Sequence, residues 1–136
     1  MTGMEEIESA LIKRLTILSD LPDVAWPNMP FTPTPGRPYF KPALLPGEPT
    51  QAGIGESAMN RMSGIFQVAV FVPAGIGTKD LRTMCSALEA HFKRGTVLNY
   101  NGVKVTIRKA YRGPQLQEAN WLQCPVTISF FALTEN

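Results

Sequence analysis

Few residues in this chain could carry chemistry, and their spacing argues against most of it. His91 is the single histidine among 136 residues. No site needing two imidazoles, and no His-Glu-x-x-His zinc helix, can therefore be assembled. Its place beside Phe92 near a helix end reads as a partly buried or C-terminal capping histidine. The two cysteines, Cys85 and Cys124, are too few for a disulfide framework and lack metal-ligand spacing, which suits a reducing cytoplasm. Cys85 falls on an apolar helical stripe without a base beside it, so it reads as core rather than nucleophile. Glu5, Glu6 and Glu8 look like a solvated first helical turn rather than an acid–base pair.

Two further patterns carry an alternative each. Gly75-Ile76-Gly77-Thr78-Lys79 joins a strand to a helix, where backbone N–H groups can hold a phosphate. Asp80 stands where the third glycine of a dinucleotide fingerprint belongs, and Gly-Thr-Lys is not the Gly-Lys-Ser/Thr order of a phosphate loop. A plain turn is the expectation, with an enzyme using it as the distant rival. Lys104, Arg108, Lys109 and Arg112 share or adjoin one polar strand face beside Tyr100 and Tyr111, the best nucleic-acid candidate in the sequence. Thirteen basic against eleven acidic residues leave a charge of only +2, so a solvated hairpin or a protein contact is favoured over specific nucleic-acid binding. No catalytic, cofactor or metal-binding residue is expected, and the protein is read as a non-enzyme.

The elements that would position these residues follow from periodicity. Hydrophobic residues make up 44% of the chain and charged ones 18%, enough for one packed core and too little length for a second. Met4, Ile7, Leu11, Leu15 and Leu18 form one stripe of an amphipathic helix that Pro22 stops, with Thr2 and Glu5 placed for a capping box. From Pro22 to Pro49 there are nine prolines; this density excludes helix and the middle of a sheet, and predicts a superficial extended segment with an edge strand near Arg37 to Leu45. Gly47 to Met62 reads as a long loop, a mobile arm in the free monomer that orders on assembly. Ile65 to Val72 is a buried central strand. Thr78 is the expected N-cap of a second helix carrying Leu81, Met84, Cys85, Leu88 and Phe92 on one side. Asn101-Gly102 then turns a hairpin whose second strand alternates through Val103, Val105 and Ile107. A last strand carries Val126, Ile128 and Phe130, with Phe131 and Leu133 making its opposite face partly apolar. The order predicts a single α+β domain, two helices packed on a mainly antiparallel β-sheet, with the Pro-rich extended segment (22–49) and the long loop (47–62) attached. No apolar run approaches the ~18 residues of a membrane span, and the acidic N-terminus is unlike a signal peptide, so no membrane partner is expected.

Several phrases in order carry a resemblance: Trp26-Pro27-Asn28 with Phe31-x-Pro33, Pro38-Tyr39-Phe40, Gly64-Ile65-Phe66-Gln67-Val68-x-Val70, Pro73-x-Gly75-x-Gly77, Phe92-x-x-Gly95 and Trp121-x-x-x-Pro125-Val126. From about Ile7 to Phe131 the chain resembles the tail terminator proteins of long-tailed bacteriophages, the minor tail protein U type and related tail-completion proteins. The resemblance implies a structural protein without cofactor that forms a homo-hexameric ring at the head-proximal end of the virion tail after assembly in the host cytoplasm. Such a ring caps the tail tube protein, stops its polymerisation and offers a surface to the head-tail connector protein. A head-completion or neck protein is the close alternative, and a DNA-binding accessory protein a more distant one. A closed ring needs two different patches per subunit. The interface candidates are Trp26, Phe31, Tyr39 and Phe40 on the stiff Pro-rich segment, with Ile54, Glu56 and Arg61 on the loop. Trp26 and Tyr39 are equally readable as cover for their own sheet.

Overall fold

The computed structural model describes residues 3–47, 50–51 and 60–134. Helix α1 spans Gly3–Thr16 and buries Ile7, Ala10, Leu11 and Leu15. These are the predicted helical stripe, and full burial of each large aliphatic side chain is worth about 1.5–3 kcal/mol. The helix ends before Pro22: Leu18 N–H returns to Leu15 O at 3.1 Å, and Asp20 takes a left-handed φ of 57°. Thr2, half of the expected capping box, lies outside the described residues.

The Pro-rich segment opens with β1 (Asp23–Val24) and ends in β2 (Tyr39–Pro46). Strand β2 pairs antiparallel along its whole length with β4 (Asn60–Pro73), and parallel with β1 only at Tyr39 and Phe40. The prolines are tolerated for a directional reason. Phe40 O faces β1, accepting from Ala25 N–H at 2.8 Å, whereas Gly47 N–H faces β4 and donates to Ser63 O at 2.7 Å. Residues of Phe40's parity, Pro42 and Pro46 among them, therefore turn their nitrogens outward, where no strand waits for a donor.

The predicted loop is shorter than its composition suggested. Strand β3 (Thr50–Gln51) pairs with Arg61 and Asn60, and β4 begins at Asn60, five positions before the apolar run at Ile65. Residues 52–59, with Ile54 and Glu56, lie outside the described residues. Strand β4 passes Gly64 because β2 crosses closely there: a Cβ would stand 2.8 Å from Leu45 O and 3.2 Å from Pro46 Cα.

Helix α2 (Lys79–His91) buries Leu81, Cys85 and Leu88, with Phe92 buried at its C-cap. Thr78 is its N-cap by position, yet its side chain makes no capping bond. Strands β5 (Val97–Tyr100) and β6 (Val103–Arg112) form the expected hairpin, with Asn101 and Gly102 at φ 48° and 83°. A bulge at Arg108, between Ile107 and Lys109, reverses the alternation of β6. Lys104 and Thr106 are thus followed on the same face by Lys109 and Tyr111, while Ala110 and Arg112 turn to the helices.

Short β7 (Leu116–Gln117) leads to β8 (Trp121–Thr134), which starts five residues before the predicted Val126 and passes through Pro125. There β6 has departed and β7 has not yet joined. Pro125 O accepts from Gly113 N–H at 2.8 Å, so the proline nitrogen faces that gap. The sheet order is β1-β2-β4-β8-β6-β5, with β3 on β4 and β7 on β8, and the parallel pair β1–β2 makes it mixed. The α+β expectation holds, with both helices on one face of the sheet and the core between them, centred on Phe40, Phe66, Phe92, Phe130 and Ile128.

Candidate binding surfaces

On the helix side, the groups with chemical potential are bound into structure. His91 Nε2 donates to Arg14 O at 2.6 Å, while Arg14 Nε and Nη2 donate to His91 O at 3.1 and 2.8 Å. Each side chain caps a carbonyl at the C-terminal end of the other's helix, satisfying acceptors that helix ends leave open. The capping reading of His91 is therefore specific: it caps α1 rather than its own helix. Cys85 and Cys124 are buried, and Cys124 Sγ donates to Gly113 O at 3.3 Å. Burial, reinforced by the neighbouring Cys124, pushes the Cys85 thiol up to about 12, which leaves it neutral and unreactive at neutral pH. Arg112 grips Glu89 through Nη2 and Nε and reaches Ser86 Oγ at 2.9 Å. It is thus withdrawn from the cationic strand face to which simple alternation assigned it. Among the described residues no cluster of three metal-binding side chains forms.

Among the described residues the other face of the sheet carries no helix, and register fixes which side chains meet there. At one end Tyr39 stacks on Phe71 at 4.5 Å with planes 2° apart, Trp121 meets Tyr39 edge-on at 5.1 Å, and Phe31 leans on Tyr39 at 5.1 Å. Offset and edge contacts of this kind each add about 0.5–1.5 kcal/mol beyond area burial. Burial, and after it the Glu118 carboxylate, hold the Tyr39 phenol above its ordinary value. The Pro-rich segment arches over this cluster, leaving a groove of about 340 Å³ between Trp26, Asn28, Met29, Phe31 and Pro42.

The interface candidates consequently separate. Phe40 is 1% exposed and points into the core, so it cannot serve as a surface anchor of this subunit. The parity that turns Tyr39 outward turns its neighbour inward. Tyr39 is buried beneath Phe31, whereas Trp26 and Phe31 are half-buried at the groove. Arg61 is exposed at the opposite end of the face, its guanidinium 4.3 Å from the Phe131 ring centre.

That opposite end holds residues the interface reading left out. Register places Arg61, Leu133 and Lys104 in one row, Ser63, Phe131 and Thr106 in the next, and Ile65, Ser129 and Lys109 in a third. Leu133 and Val97 are exposed and Phe131 is half-buried, with hollows of about 460 and 290 Å³ beside Phe131. The signal was present in the sequence, in the apolar residues at both parities of the last strand. Only the register shows that cations frame them.

A family model described as phage tail terminator protein matches residues 6–130. No curated protein matches the chain. Seven chains of solved structure match. One of them is 23% identical and superposes with a TM-score of 0.74 over 96% of this chain and 95% of its own, a likeness that shows the fold.

Proposed function

Because the chain belongs to the phage tail terminator protein family, and is thus a structural component of the virion tail that meets other tail components, we propose that it acts as a ring. In this reading copies assemble into a homo-hexamer on the head-proximal end of the tail tube, stop addition of tube subunits and present a surface to the head-tail connector. The family match over residues 6–130 carries the reading, and the layered fold supports it. One face of the sheet is sealed by helices while the other displays apolar and cationic side chains, which gives the two unlike sides that a head-to-tail ring requires. Trp26 and Phe31, half-buried at the groove on a proline-stiffened segment, are suited to contact the tube or the connector at small entropic cost. Arg61 belongs to the cationic end. The segment 47–62, with Ile54 and Glu56, is proposed to join the contact on assembly.

Electron microscopy of particles produced without this protein tests the reading. Unjoined heads and tails, with tubes of irregular or excessive length, are expected. Tails of normal length with normal ends would refute it. Native mass spectrometry across a concentration series should show monomers giving way to six-membered rings, and a dimer as the sole species would count against the ring.

A further inference from the structure

The cationic end of the open sheet face has a complement elsewhere on the same chain. Arg61, Lys104 and Lys109 frame Leu133 and Phe131, and none of these three cations forms an ion pair among the described residues. The rows run across β4, β8 and β6, three strands about 10 Å wide in all, which is the width of one α-helix. The apolar centre argues for a protein occupant, since a phosphate backbone would leave Leu133 and Val97 uncovered.

On the far side of the subunit, α1 turns Glu5, Glu8 and Ile12 away from its buried stripe. Spacings of three and four place them on one side of the helix. The first turns of this side are acidic, with half-buried Ile12 and exposed Lys13 further along, so its start is opposite in charge to the cationic, apolar-centred sheet face. Exposed Glu5 and Glu8 on one face are opposite in charge to exposed Lys104 and Lys109 on the other, so on a chain of net charge only +2 these patches are matched to a second copy rather than to a polyanion.

We propose that the outward side of α1 from a second copy docks on the β4-β8-β6 face, with Glu5 and Glu8 meeting Lys104 and Lys109 and Ile12 covering Leu133. This contact rests on the ring reading and names its subunit boundary. Because the two patches lie on opposite faces, each copy can bind one neighbour on either side, and two-fold pairing through a single patch is not favoured.

The test uses full-length chains with reversed charges. Variant one carries Lys104→Glu and Lys109→Glu; variant two carries Glu5→Lys and Glu8→Lys. All four positions are exposed, and circular dichroism checks that each variant folds. Sedimentation velocity and native mass spectrometry are run over a concentration series at low and high salt. Each variant alone should need about tenfold or more higher concentration than wild type to associate. An equimolar mixture should recover assembly, since each variant's altered patch then meets an opposite charge on the other, and added salt should weaken every charged pairing. If wild type forms rings and both variants alone form them equally well, this contact is overturned while the ring stands. If wild type remains monomeric at every concentration and on tubes, both readings fall. If the variants change only retention on DNA, the cations serve phosphates and the proposed contact is wrong.

Discussion

Replacing Gly64 by alanine tests the close crossing of β2 and β4. The new methyl would stand 2.8 Å from Leu45 O, 3.1 Å from Phe130 Cζ and 3.2 Å from Pro46 Cα. Two of these neighbours are backbone, so rotating a side chain cannot relieve the clash, and β2 must move outward. That movement strains the Gly47 N–H to Ser63 O bond and the Leu45–Ile65 pairing beside it. Overpacking of this kind costs about 1–3 kcal/mol, and weakening one or two strand hydrogen bonds adds about 1 kcal/mol. Restricting the unfolded chain returns about 0.4–1 kcal/mol in favour of alanine. The steric term wins, and a net loss of about 1.5–3 kcal/mol is expected. Equilibrium unfolding in urea measures it, with Ser63→Ala on the adjacent position as a control expected to stay within about 0.5 kcal/mol. If Gly64→Ala stayed as close to wild type as that control, the crossing would not constrain the strand, and the reasoning from backbone proximity would be wrong.

Other outcomes follow from neighbouring features. Arg14→Ala removes both donors to His91 O and should lower stability by about 1–3 kcal/mol, with hydrogen exchange rising at the C-terminal ends of both helices rather than one. Phe40→Ala should cost about 3–5 kcal/mol of stability, whereas Phe31→Ala should cost about 1 kcal/mol and weaken tail assembly; equal stability losses in chemical denaturation would contradict their different burial. Cys85 is neutral in the fold with its thiol raised to about 12, so its contribution is fully present below the unfolded value of about 8.5 and is lost as pH climbs toward 12. Above pH 8.5 wild type should lose up to about 1.4 kcal/mol per pH unit from this group, a slope that Cys85→Ala should reduce in denaturation curves at pH 8 to 10. A double-mutant cycle on Arg112 and Glu89 should give a coupling of about 1 kcal/mol, since the pair is bidentate and only partly exposed.

The α+β class, both helices and the hairpin were legible because their signals are local. The Ile7-Leu11-Leu15 stripe, the Leu81-Cys85-Leu88 stripe and Asn101-Gly102 each specify geometry over a few residues. The misread boundaries turned on which way a strand's nitrogens point. The edge strand expected near Arg37 to Leu45 is β2 and contains Pro42, whereas β8 starts before the predicted Val126 and passes through Pro125; both prolines fit because their nitrogens face gaps. That direction depends on pairing partners far away in sequence. Arg112 left the cationic face for the same kind of reason, since a bulge at Arg108 reverses parity without a glycine to announce it. Among the interface candidates, Phe31 and Arg61 lie on the open face and Phe40 does not, a distinction set by one position of register.

Strand β8 also has a consequence for biosynthesis. It lies between β4 and β6 in the finished sheet, but it is synthesised after every other described strand. A ribosome that has released the first 120 residues presents β4 and β6 without the strand that joins them, and the aliphatic run of β4 stays open to any other β-rich chain. Collapse of the sheet must wait for residues 121–134, which ties folding to long-range contacts. During infection, when many copies are made at once, the interval before β8 emerges is when a nascent chain is most vulnerable to aggregation and to chaperone capture.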